Sequence, residues 1–133
     1  MKFERIRSPE APELGPNSLS NCKKVGDQVF ISGLISWDEN QNVIGKADAY
    51  VQAKTIFGAM KALMEAAGGK MNDIAKITVF VTDMRHQPDV WRARAEFFTG
   101  DYPCSTLVCV SQLFKPDALV EIEAIGVIGA GED

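Results

Sequence analysis

The chain has 133 residues, of which 46% are hydrophobic, and its 14 basic and 18 acidic residues give a formal net charge of -4. This length and hydrophobic content suit one ordinary domain with a real core, so we expect a single domain over residues 1–133. The acidic balance disfavours nucleic acid and anionic membranes as partners, because both attract clustered lysine and arginine.

Apolar runs and cysteine usage bear on the cellular compartment. No apolar run approaches the roughly 20 residues of a membrane span, and residues 1–5 lack the apolar block of a secretory signal, so we expect a cytoplasmic protein. Cys22, Cys104 and Cys109 are an odd number without paired spacing, which is typical of reduced thiols. Cys104 and Cys109 could be nucleophiles, but the single histidine that could activate them, His86, has no evident route to them. We therefore expect both to be small buried hydrophobic residues.

The first part of the chain predicts an edge strand and a hairpin. Residues 2–6 alternate weakly in polarity, which favours a short edge strand. Residues 19–25 and 28–35 flank a glycine-containing turn and therefore predict a β-hairpin. The second arm reaches Ser32 and Gly33, where a glycine at the end of a strand either relieves strain or lets another backbone or a ligand come close.

The middle of the chain changes to a helical period. Apolar residues recur at i, i+4, i+7 and i+11, which predicts a helix over residues 48–67. The residues on this face are Ile56, Met60, Leu63 and Ala67. Gly68 and Gly69 supply its stop signal, and residues 74–81 resume the alternation of a strand.

A second helix and two strands complete the predicted elements. Pro88 suits the first turn of a helix that ends before Gly100. Its core-facing stripe is predicted to be Trp91, Ala95 and Phe98. Strands follow at about residues 105–111 and 118–128. This order predicts an α+β domain with both helices covering one face of a mixed sheet.

The last strand carries the best candidate site. Side chains alternate faces along a strand, so Val120, Ile122 and Ala124 share one face. Glu121 and Glu123 share the other face with aliphatic neighbours. Carboxylates are unfavourable in apolar surroundings unless they are hydrogen-bonded or hydrated, so this face should border a cleft, an interface or solvent. The plainer reading is a pair of solvated strand carboxylates.

Two other readings of the same residues are weaker. The Glu121–Glu123 spacing of roughly 7 Å falls in the range of an inverting glycosidase pair, but every Glu-x-Glu strand has this spacing. Arg92 and Arg94 near Trp91 are an ordinary helix surface on an acidic protein, so neither ribonuclease action nor nucleic-acid binding is favoured. One histidine offers too few ligands, and we expect no metal site.

Four segments together resemble one known family. They are residues 29–33 (VFISG), 78–84 (TVFVTDM), 95–98 (AEFF) and 119–125 (LVEIEAI). With these motifs the chain resembles the RidA/YjgF group of reactive-intermediate deaminases, formerly called L-PSP endoribonucleases. The resemblance implies a chorismate-mutase-like α+β fold with a mixed six-stranded sheet and two helices on one face. It also implies a homotrimer with small-molecule clefts between subunits.

The resemblance implies a chemistry as well. Family members hydrolyse enamines and imines, such as 2-aminoacrylate, to a keto acid and ammonia without a cofactor. Such a site must hold the substrate, position one water and assist a proton transfer. Carried over by motif, Glu121 is the catalytic residue that holds the water, and Ser32 and Gly33 form part of the substrate-binding wall.

Two positions depart from the deaminating pattern. Where those members read Pro-Ala-Arg-Ser, this chain reads Pro103-Cys104-Ser105-Thr106, so Ser105 replaces the arginine that clamps the substrate carboxylate. Leu19 takes the place of the pocket tyrosine. We therefore predict that Ser105, Thr106 and Leu19 line a less cationic pocket and that the substrate differs from 2-aminoacrylate. The alternative is a non-catalytic member that binds a small metabolite or a protein partner.

Overall fold

The computed structural model describes residues 1–132, and it forms one six-stranded sheet with two α-helices. The elements in chain order are β1 (Glu4–Ile6), β2 (Cys22–Val25), β3 (Gln28–Leu34), α1 (Ala49–Ala66), β4 (Ile74–Val81), α2 (Gln87–Arg94), β5 (Cys104–Cys109) and β6 (Val120–Val127). Within these 132 residues, neither helix has the length and apolar character needed to cross a membrane.

The sheet has the strand order β1-β2-β3-β6-β4-β5. The β4–β5 pair is parallel and the other neighbouring pairs are antiparallel, so the sheet is mixed. Ile77, Val79 and Ile122 point to the helix side and are 0% exposed. The predicted α+β architecture, with both helices on one face of a mixed sheet, is confirmed.

Helix α1 forms as its sequence predicts. Asp48 caps its first turn by accepting a hydrogen bond from the backbone N–H of Val51 at 3.1 Å. Ile56, Met60 and Leu63 are completely buried against the sheet. The chain leaves the helix through Gly68, whose φ of +95° is a conformation that glycine adopts without steric cost.

Helix α2 is shorter than predicted, and its predicted core-facing stripe is correct only in part, because Trp91 packs against the core and Ala95 does not. The helix ends at Arg94, and the residues that it buries are Val90 and Ala93. Ala95 is exposed. The chain turns after the helix, and this turn brings Phe98 edge-to-face against Phe57 with ring centroids 5.8 Å apart. Phe98 is thus a core residue, but an irregular turn places it there.

The cysteine prediction is also corrected. Cys22 is buried, but Cys104 and Cys109 are exposed. They lie on β5, which is an edge strand with β4 as its one neighbour in the sheet. An edge strand without a covering layer leaves both thiols in contact with solvent in the single chain.

The sheet face opposite the helices is open in the single chain. It carries Glu121, Glu123 and Ile125 of β6, as the alternation of that strand predicts. Ile125 is 40% exposed, and its partner across β3, Phe30, is 38% exposed. Large apolar side chains exposed together usually mark a surface that is covered by another molecule.

A buried carboxylate fixes the segment after β6. Asp73 is 3% exposed and accepts hydrogen bonds from the backbone N–H groups of Lys70, Gly129 and Gly131 at 3.1, 3.1 and 2.9 Å. The Lys70 ammonium lies 3.4 Å from the same carboxylate. Burial raises the pKa of Asp73, but these donors outweigh it and leave the pKa below its ordinary value.

Replacing Asp73 with Asn is expected to lower the free energy of unfolding at pH 7 by about 2–3 kcal/mol, because charge-assisted hydrogen bonds are lost. The folded pKa lies below the unfolded one, so the contribution is present above about pH 4 and is lost as the pH falls through the folded pKa. Urea denaturation at pH 7 and at lower pH measures both effects. Asp27→Asn, in the exposed hairpin turn, is the matched control. An equal loss in both variants would contradict this role.

Candidate active site

A cavity of about 290 Å³ lies beside the end of β3. The residues that line it are Pro12, Leu14, Leu19, Asn21, Ser32, Gly33, Leu34, Ile35, Trp37, Phe114 and Glu121. Most of these side chains are apolar, and Glu121 is the one ionisable group among them. An enclosed apolar cavity with a few polar groups is the usual form of a small-molecule site.

Glu121 is half-buried and lines this cavity. Within residues 1–132, its carboxylate has neither a hydrogen-bond donor nor a cation as a partner. Burial, and secondarily the negative charge of Glu123, raise the pKa of Glu121 above the ordinary value for a glutamate. An unpaired carboxylate with a raised pKa is a stronger base than a hydrated one and is available to a ligand.

Gly33 leaves the space that the Glu121 carboxylate occupies. The register of β3 with β6 shifts between Ile31 and Leu34, so the strand pairing is irregular at Gly33. A Cβ atom at position 33 would lie 2.8 Å from Cδ of Glu121, which is closer than two carbons approach without contact strain. The group that comes close to this glycine is therefore a side chain of the site, and neither the backbone nor the ligand that the sequence analysis considered.

Replacing Gly33 with Ala is expected to displace the Glu121 carboxylate and to leave the fold intact, because the clash is with the end of a flexible side chain. The displaced group should be better hydrated, so its pKa should fall towards the ordinary glutamate value. Carbon-detected NMR titration of labelled glutamate measures this change. Gly58→Ala is the control, since a Cβ there meets nothing within 4 Å. An unshifted Glu121 pKa in Gly33→Ala would show that the carboxylate does not depend on this glycine.

Ser32 holds one wall of the cavity in place. Its hydroxyl donates to the carbonyl oxygen of Ser20 at 2.9 Å. This bond ties the segment that carries Leu19 to strand β3, and the carbonyl of Leu19 accepts a hydrogen bond from Arg5 Nη2 at 2.9 Å. Leu19 is 44% exposed and faces the cavity. The structure thus places Ser32, Gly33, Leu19 and Glu121 together.

The opposite wall consists of two aromatic residues that the sequence analysis missed. The rings of Trp37 and Phe114 meet edge-to-face, with centroids 6.0 Å apart. Trp37 Nε1 donates to the carbonyl of Pro12 at 3.3 Å, which fixes its ring. Buried Asn21 binds the same carbonyl through Nδ2 at 3.1 Å. A tryptophan beside the polar segment 38–42 was the one available signal, because the loop with Phe114 reaches it only in the fold.

Ser105 and Thr106 do not join this group within one chain. Ser105 pairs with Ile77 and lies on the helix side of the sheet, whereas Thr106 pairs with Thr78 on the open side. Both are exposed, and β4 separates them from β6, the strand of Glu121. Their predicted contribution to the site therefore requires a second copy of the chain, and it stays a prediction.

A larger depression of about 640 Å³ lies on the open sheet face. It shares Leu19 and Ser32 with the cavity and is lined further by Thr78, Glu123 and Lys76. It is wider and more polar than the Glu121 cavity, and it lies on the face that exposes Phe30 and Ile125. We assign the site to the smaller cavity because it encloses the unpaired carboxylate. Within residues 1–132, no three His, Cys, Asp or Glu residues are grouped so that they could hold a metal ion.

Comparison with known proteins finds relatives along nearly the whole chain. The model of the family described as Endoribonuclease L-PSP matches residues 11–128. The 2-iminobutanoate/2-iminopropanoate deaminase of Dermatophagoides farinae is 36% identical over 124 residues, which cover 92% of this chain and 94% of that protein. A RutC family protein of Pyrococcus horikoshii is 38% identical over 123 residues, which cover 92% and 95%.

Solved structures share the fold. The crystal structure of RidA from the Antarctic bacterium Psychrobacter sp. superimposes with a TM-score of 0.85 at 32% identity, covering 94% of this chain and 99% of that one. A protein of unknown function from Pseudomonas aeruginosa gives a TM-score of 0.86 at 37% identity, covering 98% and 95%. The predicted chorismate-mutase-like fold is confirmed by these similarities.

Proposed function

The chain belongs to the RidA/YjgF (endoribonuclease L-PSP) family, and on this basis we propose that it hydrolyses a small enamine or imine to a carbonyl compound and ammonia. The observation that carries the proposal is the unpaired, half-buried carboxylate of Glu121 in an apolar cavity. A relative named as an imine deaminase supports the same chemistry.

The reaction needs one water, both of whose protons pass in the end from oxygen to nitrogen. The water oxygen bonds to the imine carbon while the C=N π pair moves to nitrogen, which takes a proton, and Glu121 removes a proton from the attacking water. The C–N bond then breaks with its electron pair on nitrogen, which takes a second proton, and the hydroxyl loses its proton as the C=O bond forms. An enamine first gains a proton at carbon and loses one from nitrogen, which gives the imine. The net change consumes one water and releases one ammonia, with no cofactor and no metal ion.

We propose further that the substrate differs from 2-aminoacrylate, because Ser105 stands where the family's arginine would bind a carboxylate. A neutral hydrogen bond contributes about 1 kcal/mol net, whereas each bond of a charged fork contributes roughly 1.5–3 kcal/mol. A serine therefore cannot replace the clamp. Non-catalytic binding of a small metabolite or a protein partner is the second candidate function, and the same substitution favours it.

The proposed site lies between copies of the chain in a homotrimer. The open sheet face with Phe30 and Ile125 supplies the apolar surface for such an interface. Light scattering at micromolar concentration is expected to give a mass near three times 14.5 kDa. A stable, soluble monomer would remove the intersubunit cleft and with it the roles of Ser105 and Thr106.

Hydrolysis can be tested with imines that are generated in solution. An amine oxidase supplies imines without a carboxylate and an amino-acid oxidase supplies imines with one, while catalase removes peroxide and semicarbazide traps the free imine. The protein should lower the trapped fraction and release carbonyl product, most strongly with imines that lack a carboxylate. The acid limb of the pH profile should lie above about 4.3, the ordinary glutamate pKa, because burial raises the pKa of Glu121. Ligand binding without any acceleration would favour the non-catalytic function.

A further inference from the structure

We infer that the cavity beside Glu121 selects a planar cation, an aromatic or similarly flat iminium or amidinium group, over a carboxylate-bearing imine. This inference rests on the proposed function, because it names the substrate class of the same site. Hydrolysis of an iminium balances directly: the iminium and one water give the carbonyl compound and one ammonium ion.

The charge around the cavity is negative and favours a cation. Among its lining residues within the described chain, Glu121 is charged and no lysine, arginine or histidine is present. Arg5, which bonds to the Leu19 carbonyl, is already paired with Glu13 at 3.0 Å. Glu123, on the same sheet face, adds some negative potential, and the cations nearest to it, Lys23 and Lys76, line the adjoining larger depression and not this cavity. A bound anion would meet repulsion here, and a cation would meet an unpaired carboxylate.

A neighbouring copy of the chain does not reverse this balance through strand β5. No lysine, arginine or histidine occurs between Arg94 and Lys115, so the whole of β5 and its flanking segments are free of cationic residues. The strand that would carry the family's carboxylate clamp therefore brings no positive charge to the cavity of an adjacent subunit. The absence of Arg at position 105 is thus not offset by another cation nearby in the sequence.

The aromatic wall, formed by Trp37 and Phe114, favours a flat ligand. Trp37 is fixed by its hydrogen bond to Pro12, and its ring meets Phe114 edge-to-face. Phe114 is 65% exposed, so much of its ring surface is available to a ligand. Flat ligands stack on exposed aromatic faces. A cavity of about 290 Å³ is small for a ligand site and suits a group with a single ring.

The charge and the aromatic wall act on one ligand. A flat cation can place its nitrogen end at the Glu121 carboxylate and its apolar part against Trp37 and Phe114. Binding then neutralises a carboxylate that is poorly hydrated, so the ligand's charge replaces the lost solvation. A carboxylate-bearing imine of the same size can also stack on the aromatic rings, but its carboxylate is then close to the carboxylate of Glu121 and the two repel each other.

The test uses three ligands that share one ring and differ in charge: benzamidine, benzamide and benzoate. Fluorescence of Trp37, in a Trp91→Phe background with Trp37 as the remaining tryptophan, and calorimetry give the affinities. We expect benzamidine to bind at least tenfold more tightly than benzamide, with benzoate weakest. Glu121→Gln should abolish the advantage of benzamidine over benzamide, and Glu123→Gln should keep most of it. Phe114→Leu should weaken benzamidine and benzamide alike.

A second measurement needs no variant. The affinity of wild-type protein for benzamidine should fall as the pH drops through the raised pKa of Glu121, while that for benzamide should change little. Benzoate binding as tightly as benzamidine, or a benzamidine affinity independent of Glu121, would overturn the inference. If the protein hydrolyses carboxylate-bearing imines and does not bind the three probes in the order benzamidine, benzamide, benzoate, the proposed function is supported and this inference is refuted. If the probes bind in that order but no imine is hydrolysed, the cavity is a cation-binding site and the proposed hydrolytic function is refuted.

Discussion

Glu121→Gln is expected to lower the rate of imine hydrolysis by about 10²- to 10⁴-fold, the usual contribution of a general base. The amide keeps the shape of the side chain, but it cannot take a proton from the attacking water. Ligand affinity for neutral probes should persist, so the loss should fall mainly on kcat. Progress curves with amine-derived imines, at substrate concentrations above and below KM, separate the two constants.

The same substitution is expected to leave the protein at least as stable as the wild type at neutral pH. Glu121 lacks a partner within residues 1–132, is half-buried and faces the charge of Glu123, so its ionised form opposes folding. Its folded pKa is raised, so wild-type stability should increase as the pH falls from above the folded pKa towards the unfolded value. This increase should be absent in Glu121→Gln. Thermal unfolding at several pH values measures it.

The combination of lost activity and retained stability separates a functional role from a packing role. A carboxylate that mattered for packing would cost stability when replaced, as is expected for Asp73. Glu123→Gln is the matched control, since Glu123 lies on the same strand and face but outside the Glu121 cavity. Turnover that is unchanged in Glu121→Gln, or reduced equally in Glu123→Gln, would refute the catalytic assignment.

The parts of the fold that the sequence predicts are those with a regular period. The alternation of Val120, Glu121 and Ile122 was enough to place each side chain on its face, and the apolar spacing of α1 defined its buried side. The end of α2 was not predictable in the same way. Phe98 keeps the helical spacing but reaches the core through a turn that tertiary packing against Phe57 selects.

In the candidate site, too, the residues on regular strands could be predicted from the sequence and those in irregular segments could not. Glu121 and Gly33 lie on paired strands, so their approach follows from strand pairing and from motifs in each strand. Trp37 and Phe114 lie in loops 77 positions apart, and no local pattern relates them. Ser105 was identified by its place in a motif, but which face of the sheet it occupies depends on the register of β5 with β4. Contacts between irregular segments and the register of edge strands require the folded structure.

The wild-type protein is expected to have low activity on 2-aminoacrylate and iminopropionate. Ser105→Arg is expected to raise kcat/KM on both substrates at least tenfold. Each 1.4 kcal/mol regained is a factor of ten, and one charge-assisted bond to the substrate carboxylate contributes about that much. The half-buried side chain of Leu107 packs against the core, whereas Leu19, 44% exposed at the cavity, is the residue that can obstruct the guanidinium. A coupled assay that follows pyruvate from enzymatically generated 2-aminoacrylate measures the gain. Robust wild-type activity would show that the arginine is dispensable here.

The position of Ser105 makes this gain a test of the assembly as well. Ser105 and Glu121 of one chain lie on opposite faces of the sheet with β4 between their strands, so the new guanidinium must reach the Glu121 cavity of another copy. The double variant Ser105→Arg, Glu121→Gln should be inactive alone. Co-assembled with wild-type chains, it supplies an arginine to sites that retain Glu121, and activity on 2-aminoacrylate should rise above that of either protein alone. Mixed assemblies with no such rise, when Ser105→Arg itself is active, would place the arginine and Glu121 in the same chain and contradict the intersubunit site.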